Sequence, residues 1–177
     1  MYPLFTYYPR WQRPPEWVTQ LAGVFAEHQS FIDSRSGAVV SNEVLRLVCS
    51  TLIAMGFQAE SSKSSDGQLP RPVFFGENGV PTRQYKIDSY HPELRIALEI
   101  EAGRAVAGNA IYRDIVQMAL LVDVDYAAVA VPLAYRYSSA GKTQQTEPYR
   151  HCISILEAIY GGRRLDLPFQ GFLLIGY

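Results

Sequence analysis

The chain has 177 residues, 48% of them hydrophobic and 19% charged, the composition of a globular domain rather than a disordered segment. Sixteen basic residues balance seventeen acidic ones, which excludes a histone-like or polybasic-tail protein but leaves room for a local basic patch. The longest apolar runs, "YAAVAVP" and "FLLIGY", are far too short to span a bilayer. "MYPLFTYYPRW" has neither the charged region nor the apolar run of a secretory signal, so a cytoplasmic protein with no membrane contact is expected. The two cysteines, Cys49 and Cys152, fall in predicted helices and read as buried free thiols in a reducing compartment. With three scattered histidines they cannot make a zinc site of finger spacing.

In chain order, the Tyr-, Pro- and Trp-rich first residues are expected to drape over the domain. Trp17, Leu21, Val24, Phe25 and Ile32 recur at helical spacing from residue 15 to about 31, and "SRSG" then reads as a turn. Ser41 is placed as the N-cap of a second helix with Val44, Leu47, Val48, Leu52 and Met55 as its apolar stripe, stopped by Gly56. "FQAESS" reads as a short strand and "SSKSSDGQLPRP" as a polar loop. "PVFFG" and "TRQYKIDSY" make a hairpin around "ENG", and "HPE" turns the chain into "LRIALEIEA". A third helix is predicted over 109–122, a buried strand at "YAAVAVP", a polar loop at "YRYSSAGKTQQTEP", a fourth helix over 149–160 ended by "GG", and a last strand at "FLLIGY". The order α-α-β-β-β-α-β-α-β implies an α/β (α+β) chain, a single domain over 1–177 with a central mixed β-sheet flanked by helices on both faces. Residues 1–40 form its N-terminal segment and helix, 41–132 its core, and 133–177 a loop, helix and final strand.

The chemistry sits in "IALEIEAGR", residues 96–104. Ile96, Leu98 and Ile100 alternate with Ala97, Glu99 and Glu101, and the two-residue period of a strand puts both glutamates on one face, roughly 7 Å apart. Like charges placed this way repel and need a counterion or solvent. If "KIDSY" and "LRIALEIE" are adjacent antiparallel strands joined by "HPE", Asp88 lies near Glu99 and Glu101 at one edge of the sheet. Carboxylates so clustered suit a hard divalent cation, Mg²⁺ (or Mn²⁺), which prefers oxygen ligands. Such an ion can activate water and stabilise phosphoryl charge.

An Asp, a turn-length gap and "E-x-E" in an apolar strand, preceded by an acid-bearing helix, resemble the PD-(D/E)XK nuclease superfamily. The order α-β-β-β-α-β is also that superfamily's restriction-endonuclease-like core. "IALEIEAG" followed by Asn109, Tyr112, Arg113 and Asp114 is similar to Type II restriction endonucleases of the BamHI and BglII kind, over roughly residues 41–132. The resemblance implies that Asp88 and Glu99 ligate the metal, and that Glu43 on the first core helix reaches it through water. Glu101 matches the position that is usually lysine and would position or deprotonate the attacking water. The implied reaction is metal-dependent hydrolysis of DNA, in-line attack at phosphorus leaving a 5′-phosphate and a 3′-hydroxyl. Two departures stand out. Ile87 replaces the common Pro before Asp88, and without the lysine the site must rely on its metal to activate water.

Arg104, in the glycine-flanked "AGRAVAGN", is a candidate phosphate contact, since glycine permits close approach of a backbone. Arg113 and Gln117 are i,i+4 neighbours on the third helix, and Arg113 with Asp114 could hold a phosphate or buttress the acids. Lys142 and Arg136, with Tyr135, Tyr137 and Gln144, populate a polar stretch suited to phosphate or base contacts. Each has an ordinary alternative: a solvated loop, an ion-paired helix surface, a helix-start acid at Glu43, or a solvated strand face partnered by Arg95 or Lys86 at Glu99 and Glu101. Cutting both strands of double-stranded DNA with one site per chain implies a homodimer. A structure-specific repair nuclease is the neighbouring possibility. A nuclease-fold nucleic-acid-binding protein with idle acids is disfavoured by the intact three-acid set. A two-carboxylate glycosidase would leave Asp88 unexplained and has little chain for a sugar cleft.

Overall fold

Three runs too apolar to leave in water, Ile96–Ile100, Tyr126–Val131 and Gly171–Gly176, form the middle of a six-stranded sheet in a computed structural model of the chain. The structure describes residues 3–37, 40–62, 64–101, 109–139, 141–162 and 164–177. In chain order its elements are β1 (Leu4–Tyr8), α1 (Glu16–Glu27), α2 (Gln29–Ile32), α3 (Ser41–Ala54), β2 (Gln58–Ala59), β3 (Leu69–Phe75), β4 (Pro81–Ile87) and β5 (Ser89–His91). There follow β6 (Ile96–Ile100), α4 (Ala110–Ala119), β7 (Tyr126–Val131), β8 (Tyr135–Ser139), β9 (Lys142–Thr146), α5 (Pro148–Gly162) and β10 (Gly171–Gly176).

The large sheet runs β1-β10-β7-β6-β5-β2. Its central strands β6, β7 and β10 are parallel, whereas β1, β5 and β2 pair antiparallel with their neighbours. Parallel neighbours need crossovers, here α4 and α5. Both crossovers advance the same way along the sheet and such connections are right-handed, so the two helices land on one face. There Ala97, Val129 and Leu174 pack with Ile111, Ile115, Met118, Cys152 and Leu156. On the other face Leu98, Ala128 and Leu173 meet Leu21 and Phe25 of α1 and Val44, Val48 and Leu52 of α3. Each fully buried aliphatic side chain of that kind contributes roughly 1.5–3 kcal/mol. The result is the predicted α+β domain, a mixed sheet between two helical layers. Because β6 alternates, its even residues serve the α1/α3 core and Glu99 and Glu101 belong to the α4 side.

Several expectations are corrected. The first residues do not drape: Leu4–Tyr8 is an edge strand paired with β10, with Tyr7 and Tyr8 buried. The first predicted helix breaks at His28 into α1 and α2. Val40, not Ser41, is the N-cap of α3, while Gly56, at φ +102°, supplies the expected stop in a conformation that side chains other than glycine's resist. The last four residues of the loop expected at 61–72 belong to strand β3, and most of the one expected at 135–148 is an antiparallel ribbon, β8 with β9. The strand predicted through 83–89 is broken at Asp88: β4 pairs with β3 in a separate two-stranded sheet, and β5 joins the main one. Both cysteines are free. Cys152 is buried and its thiol is pushed up to about 12 by desolvation, whereas Cys49 is only half-buried. Among the described residues no helix is long and apolar enough to cross a membrane.

One buried hydroxyl ties three distant segments. Ser34 Oγ donates to the Tyr177 carbonyl at 2.5 Å and accepts from the N–H groups of Leu133 at 2.9 Å and Ala134 at 3.2 Å. Removing it takes the acceptor from the buried Ala134 N–H, at about 1–3 kcal/mol, whereas the Leu133 N–H and the Tyr177 carbonyl keep their direct bond to each other at 2.8 Å. Ser34→Ala is therefore expected to lower unfolding stability by roughly 1–3 kcal/mol, read as a lower urea midpoint at unchanged slope. A loss below roughly 0.5 kcal/mol would show that water replaces the hydroxyl.

Candidate active site

Asp88 stands where the chain leaves one sheet for the other, and both of its neighbours hold it there. Its carbonyl accepts the Glu60 N–H at 2.7 Å, just past β2. Its Oδ2 accepts the Ile100 N–H at 2.8 Å, from β6. The expected antiparallel pairing holds, with Ser89 opposite Leu98 and His91 opposite Ile96, so Asp88 falls beside Glu99 at the carboxyl end of β6. Glu101 is fixed by its backbone: its N–H donates to the Ala130 carbonyl at 2.9 Å, and its own carbonyl accepts the Tyr177 hydroxyl at 2.7 Å. Ligand sites of open α/β sheets gather at this end of their strands.

Across from these acids, α4 contributes Arg113, Asp114 and Gln117. Asp114 is buried, with its side chain 4% exposed. The Arg113 guanidinium, Nη2 2.9 Å from Asp114 Oδ1 and 3.2 Å from Glu101 Oε1, bridges the two carboxylates. Gln117 Nε2 donates to the Lys86 carbonyl at 2.6 Å, tying α4 to β4. These groups, with Ser41, Glu60, Gln68 and Lys86, line a cleft of about 380 Å³.

The electrostatics of the cleft are one-sided. Asp88 and Glu99 are in side-chain hydrogen-bond contact, as are Glu101 and Asp114, and a carboxyl–carboxylate contact holds together only with a proton or a cation between its halves. Burial, then the charges of Asp88 and Asp114, push Glu99 well above the ordinary carboxylate range. Burial and the Asp114 carboxylate raise Glu101 from 4.5 to about 7, against the opposing pull of Arg113. Asp114 Oδ2 is buried and faces no N–H or O–H donor among the described residues. Oxygen-only donors, excess negative charge and an orphaned carboxylate oxygen fit a hard divalent cation. Among the described residues, however, no three His, Cys, Asp or Glu side chains are already drawn into a closed cation cage.

Of the residues singled out from sequence, Asp88, Glu99, Glu101, Arg113 and Gln117 meet in this cleft. Glu43 does not line it. It lies on the exposed side of α3, paired with Arg46 at 2.5 Å. Lys142 and Arg136 are on the β8–β9 ribbon rather than in the cleft, and Arg104 lies outside the described residues. Sequence reasoning gave Glu60 no role and Asp114 only a share in an Arg–Asp pair. Glu60 sits in the polar run "AESSKSSD", where nothing local distinguishes it. The inward orientation of Asp114 was legible, since it falls with Ile111, Ile115 and Met118 on the buried stripe of α4.

Fold and cleft together define a single-domain α+β protein with an acidic site at the carboxyl edge of a mixed sheet. The chain belongs to a family described as "Putative halobacteria restriction endonuclease", whose profile matches residues 6–177. No curated protein and no solved structure matches it.

Raised carboxyl pKa values have a definite sign in stability. Between about pH 4.5 and pH 7 the folded cleft holds protons that the unfolded chain has released, so cation-free stability falls as pH rises through that window. Thermal melts are expected to show this fall, and to show it flattened in the Glu99→Gln/Glu101→Gln double variant. Mg²⁺ or Mn²⁺ is expected to raise the midpoint more at pH 8 than at pH 5. An equal effect at both pH values would count against cation binding by these carboxylates.

Proposed function

We propose that the protein is a divalent-metal-dependent endodeoxyribonuclease of the PD-(D/E)XK type, in its E-x-E form, acting as a restriction endonuclease on double-stranded DNA in the cytoplasm. The observation that carries this reading is the convergence of Asp88, Glu99, Glu101 and Asp114, from a sheet junction, a strand and a helix, on one cleft of unbalanced negative charge. Membership of a restriction endonuclease family supports it independently.

Asp88 and Glu99 would hold Mg²⁺ or Mn²⁺, with Glu60 rather than Glu43 as the additional acid within reach of the cleft. When bound, the ion supplies Lewis acidity and charge compensation for phosphodiester hydrolysis. Glu101, with its pKa near neutrality, takes a proton from the attacking water. The water oxygen bonds to phosphorus as the bond to the 3′ oxygen breaks, leaving a 5′-phosphate and a 3′-hydroxyl that takes up a proton. Arg113 supplies the fixed positive charge that lysine supplies in most members of the superfamily. Its side chain is 66% exposed at the cleft mouth, where a phosphate can meet it. Lys142 and Arg136 extend the contacts to DNA beyond the cleft, and Arg104 belongs to the same reading as a phosphate contact. A homodimer belongs to the same reading, because one cleft serves one strand. Tyr112 and Val116 on α4 and Leu120 at its C-cap, all exposed, offer a second copy an apolar face.

Plasmid cleavage with Mg²⁺ or Mn²⁺ tests the assignment. Asp88→Ala and Glu99→Ala should each lose at least about 100-fold in rate, the loss expected when several kcal/mol of transition-state stabilisation disappear. Glu60→Gln should be impaired, and Glu43→Ala should cut within about threefold of wild type because it breaks only a surface pair. Wild-type rates in the folded Glu99→Ala protein would refute the site.

A further inference from the structure

The β8–β9 ribbon is the one pair of strands in the described structure with nearly every side chain in water. Arg136, Tyr137, Ser138, Lys142, Thr143, Gln144 and Gln145 are all exposed, so apolar burial does not account for it, and bare two-stranded ribbons are marginal in water. It is nevertheless held in one orientation. Tyr135 and Tyr137 stack at 5.8 Å. Arg136 Nε donates to Gln145 Oε1 at 3.0 Å, and Arg136 Nη2 reaches the Arg35 carbonyl at 3.2 Å. Directly paired residues share a face of the ribbon, so Arg136 and Gln145, opposite each other, form the face leaning on the 33–37 turn. Tyr137 and Gln144, also opposite each other, form the face left free.

The root of the ribbon adjoins the acids. Tyr177 gives its hydroxyl to the Glu101 carbonyl at 2.7 Å and its own carbonyl to the Leu133 N–H at 2.8 Å, two residues before β8 begins. The ribbon therefore rises from the same end of the sheet as Glu99 and Glu101. It carries Arg136 and Lys142 and no acid over residues 135–146, in a chain where acids slightly outnumber bases.

We propose that the β8–β9 ribbon enters the major groove of the duplex held at the cleft and selects the sequence that is cut. Gln144 reads a base edge, Lys142 neutralises a phosphate, and Arg136 positions the ribbon. The major groove admits a two-stranded ribbon, and a glutamine amide there suits adenine, donating to N7 and accepting from N6. A lysine contact to phosphate adds affinity without sequence information.

This inference rests on the nuclease reading, and sequencing of the cut ends separates the two. Mixed genomic DNA is digested with Mg²⁺ or Mn²⁺ by wild type, Gln144→Ala and Lys142→Ala, with circular dichroism confirming folding. Wild-type ends should share a base preference at a fixed distance from the cut. Gln144→Ala should weaken that preference at one position by roughly tenfold or more while cutting continues. Lys142→Ala should keep the preference, slow cutting overall and reduce the salt dependence of binding by about one unit of slope. An unchanged preference in Gln144→Ala, or wild-type ends without any preference, overturns the ribbon's role and leaves the nuclease standing. Absence of cutting by folded wild-type protein with either ion overturns both.

Discussion

Carboxylate repulsion is the constraint around which the molecule is arranged. Asp88, Glu99, Glu101 and Asp114 lie together in a partly dry cleft with one bridging guanidinium, Arg113. Left to themselves such groups would move apart or turn to solvent, since like charges in a low-dielectric setting repel strongly. They stay because the backbone that carries them cannot move. Asp88 is pinned from both sides by the Glu60 and Ile100 amides. Glu99 and Glu101 ride on a strand whose alternate residues, Ile96, Leu98 and Ile100, are locked in the opposite core. Hydrophobic burial on one face of the sheet thus holds an electrostatic conflict on the other, the condition under which proteins shift pKa values and organise charge for catalysis.

The junction at Asp88 shows how a short chain builds such a site. The backbone leaves the β3–β4 hairpin at Ile87 and enters the main sheet at Ser89, so the residue between belongs to neither ladder. Its carboxylate accepts a backbone amide from β6 while its carbonyl accepts the Glu60 N–H. Gln117 fixes the hairpin to α4 through the Lys86 carbonyl, and Arg71 lies over the Tyr90 ring at 3.8 Å. The hairpin is therefore braced against the core rather than left as a flap.

The central sheet was readable because its signal is local. "IALEI", "YAAVAV" and "FLLIG" are apolar runs of strand length, and the pairing of β5 with β6 followed from the turn between them. Edge elements lacked that signal. Leu4–Tyr8 looks like loop composition, and it becomes a strand only because β10 offers a free edge. The β8–β9 ribbon has polar side chains on both faces, so alternation could not reveal it. The site was legible in proportion to its regularity. Glu99 and Glu101 declare themselves by spacing, whereas Glu60 is brought to the cleft by a backbone hydrogen bond to Asp88, a residue distant in sequence. Glu43 and Ser41 lie two residues apart at the start of α3, yet it is Ser41 that faces the cleft. The rotation of a helix about its axis is set by packing, and charge pattern alone does not fix it.

The position of β10 has a consequence for how the protein is made. It lies between β1 and β7, yet ribosomes synthesise it after every other described element. Until it docks, β1 and β7 are joined by nothing, Glu101 lacks the Tyr177 hydroxyl, and Leu133 lacks one of its two acceptors. Contacts between residues so far apart in sequence form late in folding. A chain in which β10 has not yet docked therefore carries its acidic residues without the frame that concentrates them, and the cleft is assembled only once β10 lies between β1 and β7.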